Sequence, residues 1–224
     1  MILIPLDKLT LLINSVNHNG RYDMKREGLS KEQIITLAIN LIEERKSVAD
    51  VNLREIARRA GCSAANIYNY YGNFDELLRD VQLTVFRTHL SAPSSLPDAS
   101  GISEPVIRKI VKDMIDFAIA HPGLYRLMHL EGAAPDDSAT LTAIRDNRSR
   151  AIGFIRKLSA RELDDDEAYT IAKIFHGYLH GEICRLISNR VFDRSISTYR
   201  KETIDNAVFL IRKLTGFNLQ EGKD

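Results

Sequence analysis

With 224 residues, 44% of them hydrophobic, the chain can build one large domain, or a small domain followed by a larger one, around a sizeable core. Lys and Arg number 31 against 30 Asp and Glu, so a net charge of +1 excludes a chain-wide field for nucleic acid or a membrane surface. The two cysteines, Cys62 and Cys184, fall in different expected domains; they read as small apolar packing residues in a reducing cytoplasm, not as a disulfide framework.

The opening run MILIPLDKLTLLINSV is broken by Pro5, Asp7 and Lys8 and has no basic segment ahead of it. It falls short of the roughly 20 apolar residues that a membrane helix needs. Residues 1–27 are expected to be an N-terminal extension, and no membrane partner is expected.

From there the patterning is helical throughout. A first helix is expected over about Lys31–Lys46, opened by Ser30 with Gln33 at capping-box spacing, with Ile34, Ile35, Ala38, Leu41 and Ile42 turned inward. Asn52 with Glu55 repeats that spacing and opens a second helix, whose Leu53, Ile56, Ala57 and Ala60 share a face. Gly61 stands where that helix must stop, in the left-handed conformation glycine tolerates, and Ser63 is a good N-cap for a third helix. Asn73 with Glu76 opens a fourth, over about Phe74–Leu90, with Leu77, Leu78, Val81, Val85 and Phe86 along one side.

Two short helices about a glycine turn, with a third following at once, make the layout of a helix-turn-helix, whose second helix enters the DNA major groove. Asn52–Tyr71 carries three arginines and one glutamate, a modest local surplus.

Ser91–Ser103 is rich in Pro, Ser and Gly and reads as a loop. A helix is expected over Glu104–Ala120, a break at His121-Pro122-Gly123, a short helix over Leu124–Glu131 and a loop at GAAPDDS. Three longer helices follow, over about Ala139–Arg161, Asp165–Arg190 and Ser197–Thr215. The acidic run Asp164–Glu167 suits a helix N-terminus, where the macrodipole favours negative charge, better than a catalytic cluster. Ala168, Ile171, Ala172, Phe175, Tyr178, Leu179, Leu186 and Ile187 line the first of the last two helices; Ile204, Ala207, Val208, Ile211 and Leu214 line the second. These faces suit either internal core or a four-helix bundle made with a second subunit.

Residues 28–80 resemble the TetR family of transcriptional regulators. The likeness rests on Ile56-Ala57, Ala60-Gly61, Cys62-Ser63, Ile67-Tyr68, Tyr70-Tyr71 and Leu77. His121–Met128 and Phe175–Ile183 are similar to a subgroup with a tryptophan/His-Gly motif, Phe175 standing where tryptophan is usual. The resemblance implies a homodimer through the last two helices and an effector in the C-terminal domain, whose binding moves the recognition helices apart. It also implies a phosphate-contacting lysine early in the fourth helix, where this chain has Phe74.

The expected fold is therefore all-α, with about nine helices: a three-helix DNA-binding domain at 28–75 and a helical effector-binding and dimerisation domain at 76–224. For base reading the third helix offers Ala64, Ala65, Asn66, Asn69 and Tyr70, since asparagine pairs with adenine and alanine methyls touch thymine. Asn52, Arg54, Ser63 and Tyr68 are expected at phosphates. Met114, Phe117, Tyr125, Met128, His129, Phe154, Phe175, His176 and Tyr178 can line an effector pocket, or pack as ordinary core. His176 and His180 have metal-chelating spacing but no obvious third ligand, so no metal, cofactor or catalytic residue is expected. There is no phosphate loop, HExxH or nucleophile elbow. The expectation is a cytoplasmic, dimeric regulator of a double-stranded palindromic operator, most simply a repressor released by a small molecule and not an enzyme. The alternatives are an effector-independent helix-turn-helix regulator and an all-helical metal-dependent enzyme.

Overall fold

The structure, a computed structural model, describes residues 29–89, 102–134 and 138–217. The expected extension and most of the Ser91–Ser103 loop lie outside them. Among the described residues there are nine helices and no strand: α1 Lys31–Arg45, α2 Leu53–Arg59, α3 Ala64–Tyr68, α4 Phe74–His89, α5 Glu104–Ala120, α6 Pro122–His129, α7 Ser138–Leu158, α8 Asp165–Ile187 and α9 Ile196–Thr215.

Local chemistry sets most boundaries. At α1 the full capping box forms: Gln33 N–H donates to Ser30 Oγ at 3.3 Å, and Ser30 N–H donates to Gln33 Oε1 at 2.8 Å. At α4 the box is displaced by one residue. Glu76 N–H donates to Asn73 Oδ1 (2.9 Å), but the Glu76 carboxylate takes the Gly72 amide at 2.8 Å.

Three ends differ from the sequence-based ranges. The break after α5 is there but narrows to His121: Pro122 already occupies the first turn of α6 with His121 as N-cap, because proline's fixed φ suits a helix start. α7 stops at Leu158, since the Ala160 amide donates to the Thr215 carbonyl of α9 at 3.0 Å instead of continuing the ladder. α8 stops at Ile187. Asn189 adopts φ 52°, and the Asn189 and Arg190 amides close a Schellman pair on Leu186 and Arg185 (3.2 and 2.9 Å).

The chain divides into two compact units. One holds α5, α7 from Ile144 onward, α8 and α9. Its core gathers Ile107 of α5, Ile155 and Leu158 of α7, Leu163 just ahead of α8, Ala168 and Ile171 of α8, and Val208 and Ile211 of α9. Arg108 bridges Glu104 and Asp205 at its edge (2.7 and 2.5 Å).

The other unit holds α1–α4, α6 and the start of α7. α1 is buried on more than the expected stripe, since Leu37 and Ile39 join Ile34, Ala38, Leu41 and Ile42. The extra burial has a cause: α6 lies against it. Glu43 of α1 accepts from the Leu124 amide (3.0 Å) and shares a 2.6 Å hydrogen bond with His121 Nδ1. Glu131, just past α6, accepts from Ser47 Oγ and the Val48 amide (2.9 and 2.8 Å). A Cβ on Gly123 would sit 2.3 Å from the Ile42 carbonyl oxygen, so only glycine permits this approach.

Gly123→Ala should therefore cost about 1–3 kcal/mol, the usual cost of overpacking. Gly153→Ala, mid-helix in α7 with nothing within 4 Å of an added Cβ, should instead gain about 0.5–1 kcal/mol from helix propensity. Urea unfolding midpoints at constant slope are the check; equal shifts would mean that the α1–α6 approach is looser than described.

Candidate nucleic-acid interface

α3 has only five residues and cannot hold its own orientation. The turn before it does so. Gly61 adopts φ 67°, its amide donates to Arg58 O at 3.2 Å, and the Cys62 amide donates to Ala57 O at 3.0 Å, a complete Schellman closure of α2. Ile67 is then fully buried, and Tyr71 nearly so at 2%. The Tyr71 hydroxyl donates to Asp80 at 3.0 Å, and Lys31 lies 4.9 Å from its ring centroid. Burial first, and the Asp80 hydrogen bond after it, push the Tyr71 phenol well above its ordinary range.

With Ile67 inward, Ser63, Ala65, Asn66, Tyr68 and Asn69 are exposed together and Ala64 is half-buried. Asn52 and Arg54 are exposed at the start of α2. Ser63 has extended N-cap backbone geometry, but its side chain makes no capping hydrogen bond. Tyr70 stands apart from the expected base-reading set: it is half-buried, and its hydroxyl donates to the Leu29 carbonyl. A long-range partner forty-one residues away decides its direction, which helical periodicity does not show.

The arginines of the motif also divide. Glu55 was expected to complete a capping box with Asn52; the Glu55 amide does donate to Asn52 Oδ1 (3.0 Å), but its carboxylate is taken by Arg45 and Arg58 (2.9 and 3.4 Å). The Arg45 hydrogen bond, ahead of other causes, holds the Glu55 carboxyl below its ordinary value. Arg59 pairs with Glu44 at 2.5 Å. Among the described residues Arg54 has no carboxylate partner, which leaves it available to phosphate. Asn52, Arg54 and Tyr68 meet Gly72, Asn73 and Phe74 around a shallow recess of about 500 Å³.

Residues 34–81 match the profile of bacterial regulatory proteins of the tetR family. The chain therefore carries the DNA-binding domain of the tetR family over those residues. It is a DNA-binding transcriptional regulator. The nucleoid occlusion factor SlmA of Haemophilus ducreyi is 19% identical over 181 residues, covering 77% of this chain and 88% of that one. BioQ of Mycobacterium smegmatis is 17% identical, with a TM-score of 0.57 over 85% of this chain and all of that one (100%). A variant of TetR from Acinetobacter baumannii, solved with minocycline, is 15% identical, with a TM-score of 0.58 over 83% of this chain and 96% of its own. At these identities the two structures show the shared fold.

The residues expected around an effector are spread through the regulator. Tyr125, Met128 and His129 lie on α6 in the helix-turn-helix unit, with Tyr125 and His129 ring centroids 4.6 Å apart. Met114, Phe117, Phe154, Phe175, His176 and Tyr178 belong to the other unit. There Met114 and Phe117 are buried, Phe154 and Phe175 pack on the core, and His176 is exposed. Tyr178 borders a polar recess of about 250 Å³ with Glu182, Arg185, Arg194, Tyr199, Glu202 and Asn206. Among the described residues no three His, Cys, Asp or Glu side chains converge on one metal position.

Tyr70→Phe should cost about 1 kcal/mol of stability through the orphaned Leu29 carbonyl, whereas Asn66→Ala and Asn69→Ala should stay within about 0.5. Thermal unfolding of the three variants distinguishes anchor from surface. The Glu55 pairing has a pH signature. A carboxyl whose folded value is depressed adds stability that is full above its unfolded value, about 4.3, and is lost as pH falls through the lower folded value. Glu55→Gln should thus lose less stability than the parent between about pH 7 and pH 3; parallel acid limbs would show that the pair is worth nothing in solution.

Proposed function

We propose that the regulator is a cytoplasmic homodimer that reads a palindromic double-stranded operator and is released from it by a small molecule, acting as a repressor. Residues 28–75 carry DNA recognition, and residues 76–224 carry effector binding and the dimer contact through α8 and α9. The observation that carries this reading is the exposed group Ala65, Asn66 and Asn69 on a short helix fixed by Ile67 and the Gly61 turn. Two amide side chains beside a methyl suit adenine and thymine edges.

Asn52, Arg54, Ser63 and Tyr68 flank that group as phosphate contacts, and Ala64 lies at its edge. Tyr70 acts by holding the domain together, through Leu29. Two such surfaces read half-sites spaced by whole helical turns, which a two-fold dimer supplies. Two further features support a dimer through α8 and α9: Ile174 (46%) and Phe209 (61%) are exposed there despite their size. No helix among the described residues is long and apolar enough to cross a membrane. The minocycline named for the A. baumannii TetR variant supports an effector for this chain as well. Its lining would draw on Met114, Phe117, Phe154, Phe175, His176 and Tyr178, all within one unit.

Selection of genomic fragments by the purified protein at fixed salt tests the reading. Recovery of one palindrome is expected. Only non-specific binding by folded protein would overturn it. At that operator Asn66→Ala should cost about 1–3 kcal/mol and relax one base position. Phe74→Lys should add one phosphate contact and steepen the plot of log K against log salt by about 0.9. A slope unchanged by this substitution would place the start of α4 away from the DNA backbone.

A further inference from the structure

The amino end of α1 is pinned beside the end of α3 at two points. The Tyr70 hydroxyl donates to the Leu29 carbonyl, and Lys31 Nζ lies 4.9 Å from the ring centroid of Tyr71. Tyr70 and Tyr71 follow Asn69 directly, so the Lys31 ammonium stands next to the carboxyl end of α3. All of these residues belong to one unit. Tyr71 gives the ammonium a fixed floor, because it is buried and its hydroxyl donates to Asp80 at 3.0 Å.

Lys31 is not spent on a carboxylate. Asp80 stands 3.9 Å away, beyond hydrogen-bond distance, and the same Oδ2 already accepts from Tyr71. Arg45 and Arg59, by contrast, are hydrogen-bonded to Glu55 and Glu44. The Lys31 side chain is 52% exposed, and an exposed pair at such a distance is worth little. Its three N–H donors are therefore open to another acceptor. A helix with its side chains is about 10–12 Å across and the major groove about 12 Å wide, so a helix seated there meets a phosphate ridge on either side. A cation held just past the end of that helix faces the ridge. Phe74 gives the start of α4 no cation of its own.

We propose that Lys31 is a DNA phosphate contact, which sets the first turn of α1 against the duplex backbone in addition to Arg54 from α2. This inference rests on the proposed seat of α3 in the major groove. A phosphate contact carries no sequence information, so Lys31 raises affinity for every duplex alike. Tyr71 and the Leu29–Tyr70 hydrogen bond are its positioning groups.

The test measures binding of the full chain to a mixed-sequence duplex and to the palindrome recovered by selection, over a series of salt concentrations. In Lys31→Gln the plot of log K against log salt should become shallower by about 0.9 per subunit on both duplexes, and Lys31→Arg should restore the parent slope. Asn66→Ala should weaken binding to the palindrome and leave the slope on mixed-sequence DNA unchanged. Far-UV circular dichroism establishes that each variant is folded. An unchanged slope in Lys31→Gln, beside a weakened palindrome in Asn66→Ala, overturns the Lys31 contact alone. A shallower slope that Lys31→Arg does not restore gives Lys31 a packing role on Tyr71 and also overturns the contact. Folded parent protein that binds neither duplex, or equal binding by parent, Asn66→Ala and Lys31→Gln, overturns the seat of α3 and this proposal with it.

Discussion

A helix of five residues has no stability of its own, so everything DNA recognition asks of α3 must be supplied from outside it. The constraint is the left-handed residue at Gly61. It lets the Cys62 and Gly61 amides turn back on the last carbonyls of α2, which fixes where the chain leaves that helix. Burying Ile67 completely then leaves α3 one permitted rotation. The exposure of Asn66 and Asn69 follows from that rotation and from nothing in the asparagines themselves. A backbone conformation and one buried isoleucine thus hold α3 without local slack.

The same unit binds α6 unusually firmly. Two carboxylates do this from different places: Glu43 on α1 takes the start of α6, and Glu131 past its end takes the chain after α1. Between them Gly123 removes the side chain that would hold the helices apart. Gln82 of α4, buried at 7%, donates to the Leu127 carbonyl (3.4 Å) and so ties α4 to the same helix. α6 is covalently continuous with α5 before it and leads to α7 after it. Glu43, Glu131 and Gln82 thus hold α6 against α1 and α4 within one unit.

Much of this was legible in the sequence because the signals are local. Ser30 with Gln33, Asn52, Gly61 and Asn73 act within four residues of themselves, and α1, α4 and α5 begin where these residues and the apolar period put them. What was not legible depends on partners far along the chain. Tyr70 has the spacing of a surface residue and is turned by Leu29; Glu55 has the spacing of a capping box and is claimed by Arg45. α7 ends early because a carbonyl of α9 takes an amide of the chain beyond it. Apolar and aromatic residues on the C-terminal helices look alike whether they fill a core or line a cavity, so Phe154 and Phe175 could be assigned a neighbourhood only from the packing.

The start of α4 shows how electrostatics and specificity trade against each other. A helix N-terminus attracts phosphate through unpaired amides. Here Glu76 occupies the Gly72 amide, Asp75 adds negative charge in the first turn, and Phe74 supplies no cation. The recess that Phe74 shares with Arg54, Asn52 and Tyr68 therefore relies on a single arginine for its positive charge. Phosphate contacts raise affinity for every sequence alike, whereas base contacts raise it for one. A surface with few of the former attracts bulk DNA weakly and leaves more of its discrimination to base contacts.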